Sequence, residues 1–473
     1  MSGPFGSSQW MYNAGGAFYG HEISNSLRQN AGDSAYLHKS QGSGNRRTFT
    51  ISFWVKRSRQ NDRQAIFSAS ADGNNECFIW FDTDDELFVK ESTSGSTNFE
   101  IRTNRKFRDA SAWYHIVVAY DTTDSTAGDR VKIYVNGVEE TSFANETQPD
   151  ENFQTKFNDG STTLNIGRIN TAEYFGGYLA EATLIDGLQL TPASFGELKN
   201  DIWIPKNTSG LTFGTNGLRL QFKQSGTGTA SASTIGADTS SNTNHLTSVN
   251  LVASDIVLDS PTNNFATYNP IAPDTTGATN HSFSEGNLKV IQNASSGAKW
   301  WNCFGTIGMS SGKYYWEHYA LGSGTVDMNI GVCTLDWYRG SNGGADTADA
   351  YTLYGASDGN GYLYTDGASA VDKGTGYCWT WADIMSVAFD ADTGKIWYAK
   401  NGTFLGSGDP AAGSNEVHTV TAGDLAIGML PVFSGEGASG TPMVNFGQDS
   451  SFAGNKTAQG NADGNGIGDF YYA

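Results

Sequence analysis

The chain is poor in cysteine, in basic residues, in long apolar runs and in helical periodicity, and each shortage removes a class of protein. Its four cysteines, Cys77, Cys303, Cys333 and Cys378, include no pair at a C-x-x-C spacing, so neither a disulfide framework nor a zinc site is expected. Basic residues number 29 against 49 acidic ones, a formal charge of -20, and both halves of the chain are acidic. Counterion release from nucleic acid and attraction to anionic lipid both need positive surface, so no nucleic-acid partner and no membrane insertion are expected. No apolar run reaches the roughly 18 residues of a membrane helix, and the opening MSGPFGSSQWMYNAGGAFYG has no basic segment followed by an apolar one. Neither a membrane span nor a signal peptide is read from it. The seven histidines show no H-E-x-x-H spacing. In the first half only TPASFGELKND, with Thr191 before Pro192, predicts a short helix.

What is present is enough to bury a core. Apolar residues make up 38%, aromatics 12%, and there are 12 tryptophans among 473 residues, a length beyond the ~250–300 at which single cores stop growing. In TFTISFWVKR, Phe49, Ile51, Phe53 and Val55 alternate with polar neighbours and with Trp54 on the outer side, the period of a half-buried strand. AWYHIVVAYD reads as a central strand, with His115 a core or interface residue. VKIYVNGVEE follows, its Asn136-Gly137 pair suited to a type I′ hairpin. The device returns in IMSVAFDADTGKIWYAKNGTFLG: Val387 and Phe389 point inward, Ile396 and Tyr398 share a face, and Asn401-Gly402 makes the turn. Short strands at this spacing predict an all-β protein of two β-sandwiches. The expected divisions are a first sandwich over 1–205 and an ordered connector with short strands over 206–275. The connector holds one flexible loop, SGTGTASASTIGADTSSNTN. A second sandwich is expected over 276–450 and a Gly/Asn-rich surface segment over 451–473.

Catalytic signatures are weak. GMSSG and GASDG match the nucleophile-elbow pattern without a strand-to-helix context, and Asp82 with Asp84 in FDTDDELFV reads as a solvated hairpin rather than a glycosidase pair. No enzyme and no cofactor are expected. Calcium is the one inorganic candidate, because NADGNGIGDFYY begins like a calcium loop with Asn461, Asp463 and Asn465, although Tyr472 stands where a bidentate Glu would close it. Aromatics near turn formers point to ligand contact: AKWWNCFG brings Trp300 and Trp301, and LDWYRGSNGG brings Asp336, Trp337, Tyr338, Arg339 and Asn342. Followed at once by Ser, Asn and Gly, Trp337 is expected at an exposed loop tip.

FTISFWVKRS, WYHIVVAYD, VKIYVNGVEE, LNIGR and YFGGYLAEATLIDG, in that order, resemble the laminin-G-like, concanavalin A-type jelly roll. SGKYYWEHYAL, NIGV, IMSVAFDADTGKIWYAKNGTFLG and PVFSGEGASGTPMVNFGQ resemble a SPRY domain, another concanavalin A-like sandwich. Together with SLRQNAGDSAYLHKS, ASFGELKNDIWIPK and DSPTNNFATYNP, the chain is similar to virion proteins of marine tailed bacteriophages. The resemblance implies a non-enzymatic virion surface protein made in the host cytoplasm. It would be tail- or fibre-associated, assembled with other virion proteins as a homo-oligomer (a trimer by likeness to fibres), and would bind host-surface glycan or protein. In SPRY domains the loops at one end bind ligands, which places Trp337, Tyr338 and Arg339 first among the candidates. An architectural role (head fibre, decoration or collar) and a polysaccharide-degrading enzyme are the alternatives.

Overall fold

The computed structural model describes residues 18–272, 281–292, 300–322, 327–340, 349–436 and 440–472. It is nearly all-β, 45% strand and 6% helix, and divides into two units between Asn264 and Phe265. The sequence TPASFGELKND forms only a single 3-10 turn, Pro192–Ser194, before the strand Gly196–Lys199. No helix among the described residues is long and apolar enough to cross a membrane.

The N-terminal unit is a sandwich of two eight-stranded antiparallel sheets. In the first sheet Thr48–Arg57 lies between Tyr114–Asp121 and Gly177–Asp186. Phe49, Ile51, Phe53 and Val55 line one face of this sheet beside Ile116, Val118, Tyr120, Val131 and Ile133, in one buried cluster, as the alternation requires. The opposite face of this sheet is also covered: Trp54 is buried with Ile23 and Ala180, and Trp113 and Trp203 pack against them. His115 lies on that face. Its Nδ1 accepts the Trp203 indole N–H at 2.9 Å and its Nε2 meets Ser52 Oγ at 2.9 Å, so the ring is neutral with its proton on Nε2.

The segment expected to be a connector instead completes this sandwich. Leu218–Leu220 pairs with Gly177–Asp186, Thr247–Val249 with Tyr36–Ser40, and Ile256–Val257 with Ser26–Gln29. Buried ion pairs hold it, among them Arg219 Nε to Glu181 Oε2 at 3.1 Å and Lys56 Nζ to Asp259 Oδ2 at 2.8 Å. The Ser/Thr-rich loop is ordered as well. Ile235 enters the core, and the Asp238 carboxylate accepts the backbone N–H groups of Arg219, Ser240 and Asn244.

The C-terminal unit stacks an eight-stranded on a six-stranded antiparallel sheet. Trp316, Val387, Phe389, Ile396 and Tyr398 of one sheet meet Ile330, Val332, Leu353 and Phe433 of the other, and Tyr268, from the expected connector, joins this core. The last residues are fastened to the larger sheet. Buried Glu317 accepts the backbone N–H of Tyr471 at 2.8 Å and of Tyr472 at 2.7 Å, together with Asn445 Nδ2 at 3.1 Å. His318 repeats the arrangement of His115: buried and stacked on Phe433, it accepts the Trp316 indole N–H at Nε2 over 3.1 Å.

Both Asn-Gly turns form as expected, with positive φ at Asn136, Gly137, Asn401 and Gly402. Each asparagine also completes the neighbouring strand. The backbone of Asn136 donates to His115 O at 2.8 Å while its Oδ1 accepts His115 N–H at 2.8 Å; Asn401 does the same with Ile384 at 2.8 and 2.9 Å. An aromatic ring then lies on each glycine. A Cβ at Gly137 would meet Trp203 at 2.4 Å, and one at Gly402 would meet Tyr472 at 2.7 Å.

Replacing Asn136 or Asn401 by Ala strips a partner from a strand N–H, so each should cost its own unit about 1–3 kcal/mol, read by urea denaturation; two unchanged midpoints would show that these rungs carry no stability. Burial pushes both His115 and His318 down to about 3. The unfolded chain takes up these protons from pH 6.5 downward while the folded one does not. Stability is therefore full above that pH and falls as the solution is acidified, by about 1.4 kcal/mol per pH unit for each histidine. Denaturation curves between pH 7 and 5 should show a shallower fall in His115→Gln and His318→Gln proteins.

Candidate functional site

Of the residues singled out by sequence, Asp336, Trp337, Tyr338 and Arg339 lie in the helical turn Leu335–Gly340, which follows the strand Met328–Thr334. This segment is helical rather than an extended loop tip: Trp337 N–H donates to Thr334 Oγ1 at 3.1 Å, and Leu335 N–H to Gly428 O at 3.1 Å. The helical turn swings Trp337 back onto the smaller sheet. It is 4% exposed and packs edge-on against Phe304 at 5.5 Å, among Cys333, Ala350, Leu430 and Val432. The expectation of an exposed Trp337 platform is overturned: turn-forming neighbours predicted exposure, whereas one turn of helix is enough to bury an indole. Tyr338 and Arg339 continue the helical backbone, their side chains lying outside the described residues, as does Asn342 altogether. Trp300 and Trp301 are not on a loop. They begin the strand Trp300–Phe304, which pairs with Met429–Glu436.

Beside this turn the fold assembles three carboxylates that the sequence keeps far apart. Oxygens of Asp349, Asp366 and Asp424 all lie within 4.8 Å of one another. Asp349 precedes the strand Ala350–Gly355 and Asp366 follows Gly361–Thr365, so their pairing sets the two side by side, with Asp349 N–H donated to Asp366 Oδ1 at 3.2 Å. Asp424 comes from the first turn of the helix Ala422–Ile427, capped by Thr421, and accepts the Tyr351 hydroxyl, while His418 stacks on Tyr351 at 4.9 Å. Desolvation raises the Asp349 carboxyl, and the like charges of Asp424, Asp366 and Asp336 raise it further. Hard oxygen donors so placed could hold a cation such as calcium. Nothing in the local sequence announced this group, since no spacing joins 349, 366 and 424; the one available signal was the hairpin register.

The remaining candidates are engaged in structure. Asp463 Oδ1 accepts Asn465 N–H and Ile467 N–H, both at 2.9 Å, folding its own turn, and Asn461 Nδ2 donates to Tyr471 O at 2.9 Å. Asp82 is buried and paired with Arg63 at 3.0 Å and Arg102 at 3.1 Å, whereas Asp84 is exposed. Of the two elbow-like motifs, GMSSG precedes the strand Lys313–Gly322 and GASDG joins two strands, so neither serine opens a helix. Trp337→Ala should behave as a core truncation and cost about 3–5 kcal/mol, read as an earlier melting transition of the C-terminal unit; unchanged melting would contradict the packing described.

Residues 30–194, within the N-terminal unit, match the family model described as the concanavalin A-like lectin/glucanases superfamily. Residues 313–425, within the C-terminal unit, match the SPRY domain model. No curated protein matches the chain. Among solved structures, the SPRY domain of human HERC1 is 16% identical, covering 37% of this chain and 96% of that one with a TM-score of 0.28. A heptameric SAP-like pentraxin from Limulus polyphemus is 18% identical, covering 36% and 80% with a TM-score of 0.27. Both units are concanavalin A-like sandwiches, and both kinds of domain are commonly binding or adhesion modules rather than enzymes.

Proposed function

We propose that this chain is a non-enzymatic surface protein of a tailed-bacteriophage particle, fibre- or tail-associated, that binds a glycan or protein on the host cell. The observation that carries the reading is the carboxylate-rich end of the C-terminal sandwich. There Asp349, Asp366 and Asp424 meet beside the turn Leu335–Gly340. Segments at a sandwich end can vary in sequence without disturbing the sheets, which suits them to recognition. Trp337 anchors the turn from below, and Tyr338 and Arg339 are the contact residues of this proposal. Assembly as a trimer on the particle would turn weak single sites into avidity.

An architectural role is the second reading, and one observation favours it. Val138 and Leu198 are each 65% exposed and Ile202 44%. They lie around Trp203, which covers Gly137, next to Val138, and pairs across its ribbon with Leu198. Exposed apolar residues so grouped suit a contact with a neighbouring subunit.

Fluorescently labelled full-length protein should bind envelopes of the host bacterium saturably, and a Tyr338→Ala/Arg339→Ala protein should bind several-fold more weakly with unchanged melting. A protein that binds no envelope yet co-purifies with particles would replace the adhesive reading with the architectural one.

A further inference from the structure

We infer that the outward face of the hairpin Ala350–Gly355 and Gly361–Thr365 is a stacking platform for a neutral, hydroxyl-rich oligosaccharide. This rests on the adhesive reading and names a site for it away from the sandwich-end turn. Leu353 and Leu363 of this hairpin enter the core, so their neighbours Tyr354, Tyr362 and Tyr364 point outward, and all three are partly exposed. Tyr354 and Tyr362 are direct cross-strand partners. Their ring centroids are 6.2 Å apart, and Tyr354 and Tyr364 are 6.0 Å apart, making one continuous aromatic surface.

Two of the rings are locked by carboxylates that are themselves fixed. Tyr354 donates its hydroxyl to Asp327 Oδ1 at 2.7 Å, and Ser357 N–H donates to the same oxygen at 3.1 Å. Tyr362 donates to Asp358 Oδ2 at 2.6 Å, and Asn360 N–H to Asp358 Oδ1 at 2.8 Å. A surface ordered before binding loses little side-chain entropy when a ligand arrives. The chemistry selects the occupant. The C–H faces of pyranose rings stack on aromatic faces, and an ionised carboxylate, with roughly four acceptor positions, keeps capacity for sugar hydroxyls after two donors are bound. Asp327, Asp358 and the exposed Asp372, which pairs with Tyr362, make the rim negative. That charge disfavours sulfated or phosphorylated polymers and leaves a neutral glycan.

The test is calorimetric titration of the full-length protein with neutral hexasaccharides of glucose, mannose and galactose, with a heparin fragment as the anionic comparison. At least one neutral hexasaccharide should bind, and Tyr362→Ala/Tyr364→Ala should weaken it by about tenfold, while Tyr362→Phe, which keeps the ring, should weaken it much less. Melting temperature is the control, and Tyr364→Ser alone replaces the double variant if that protein melts early. No binding of any neutral hexasaccharide, preference for heparin, or binding indifferent to loss of the rings would overturn the platform. Envelope binding that survives Tyr362→Ala/Tyr364→Ala would end this inference and leave the adhesive reading standing. Absence of envelope binding by the unsubstituted protein would end that reading itself.

Discussion

Each unit of the protein depends on an asparagine that finishes a β-ladder from inside a turn. The two-residue Asn-Gly turn demands positive φ at both positions, which matches the right-handed twist of the strands it joins. The same geometry points the asparagine carbonyl at the next strand. The peptide of His115 in one unit and of Ile384 in the other therefore meets both an N–H and an acceptor from the turn. A flat ring delivered from elsewhere in the chain, Trp203 or Tyr472, then lies on the glycine, where any side chain would collide. One short motif thus sets the hairpin, supports its neighbour and docks a distant segment.

Buried polar groups specify the rest of the packing. Lys56 with Asp259, Arg219 with Glu181, and Glu317 with the amides of Tyr471 and Tyr472 are charges removed from water, costly unless their partners are in place. In each case one partner comes from a segment with little apolar content of its own. Such segments add a few buried apolar residues, among them Leu218, Leu220, Ile235 and Phe470, and the hydrogen-bonded charges fix their register. The two buried histidines follow the same logic, since an imidazolium could not accept the indole N–H that Trp203 and Trp316 supply.

These constraints bear directly on function. Trp337, placed by its neighbours among candidate contacts, belongs to the core that supports the sandwich end, so on the proposed adhesive reading contact at that end would fall to residues around it. The carboxylates of Asp349, Asp366 and Asp424 give this end its charge, and the tyrosines of the adjoining hairpin give its outer face a different, aromatic character. Both features rest on a scaffold of paired strands, joined at the carboxylates by the helix Ala422–Ile427.

The amino-acid pattern by itself determined the all-β class, the inward sets around Phe53, Ile133, Val387 and Ile396, and both hairpin turns. Period-two alternation and Asn-Gly chemistry are local properties, legible within ten residues. It was also right that Trp54 faces away from the main core, but whether that face is wet depended on Ile23, Trp113 and Trp203, residues remote in the chain. The stretch 206–275 read as an ordered connector with short strands because much of its composition is polar, and strand pairing, buried Leu218, Leu220 and Ile235 and the ion pairs across the sheet make residues up to 264 part of the first sandwich. The pairing of Asp349 with Asp366 and the tyrosine cluster were decided by register, because strand pairing brings residue 349 beside 366 and 354 beside 362, and Asp424 joins them from a helix. Tertiary structure settles such features because burial and proximity are sums over distant residues, whereas a turn or an alternation is complete where it is written.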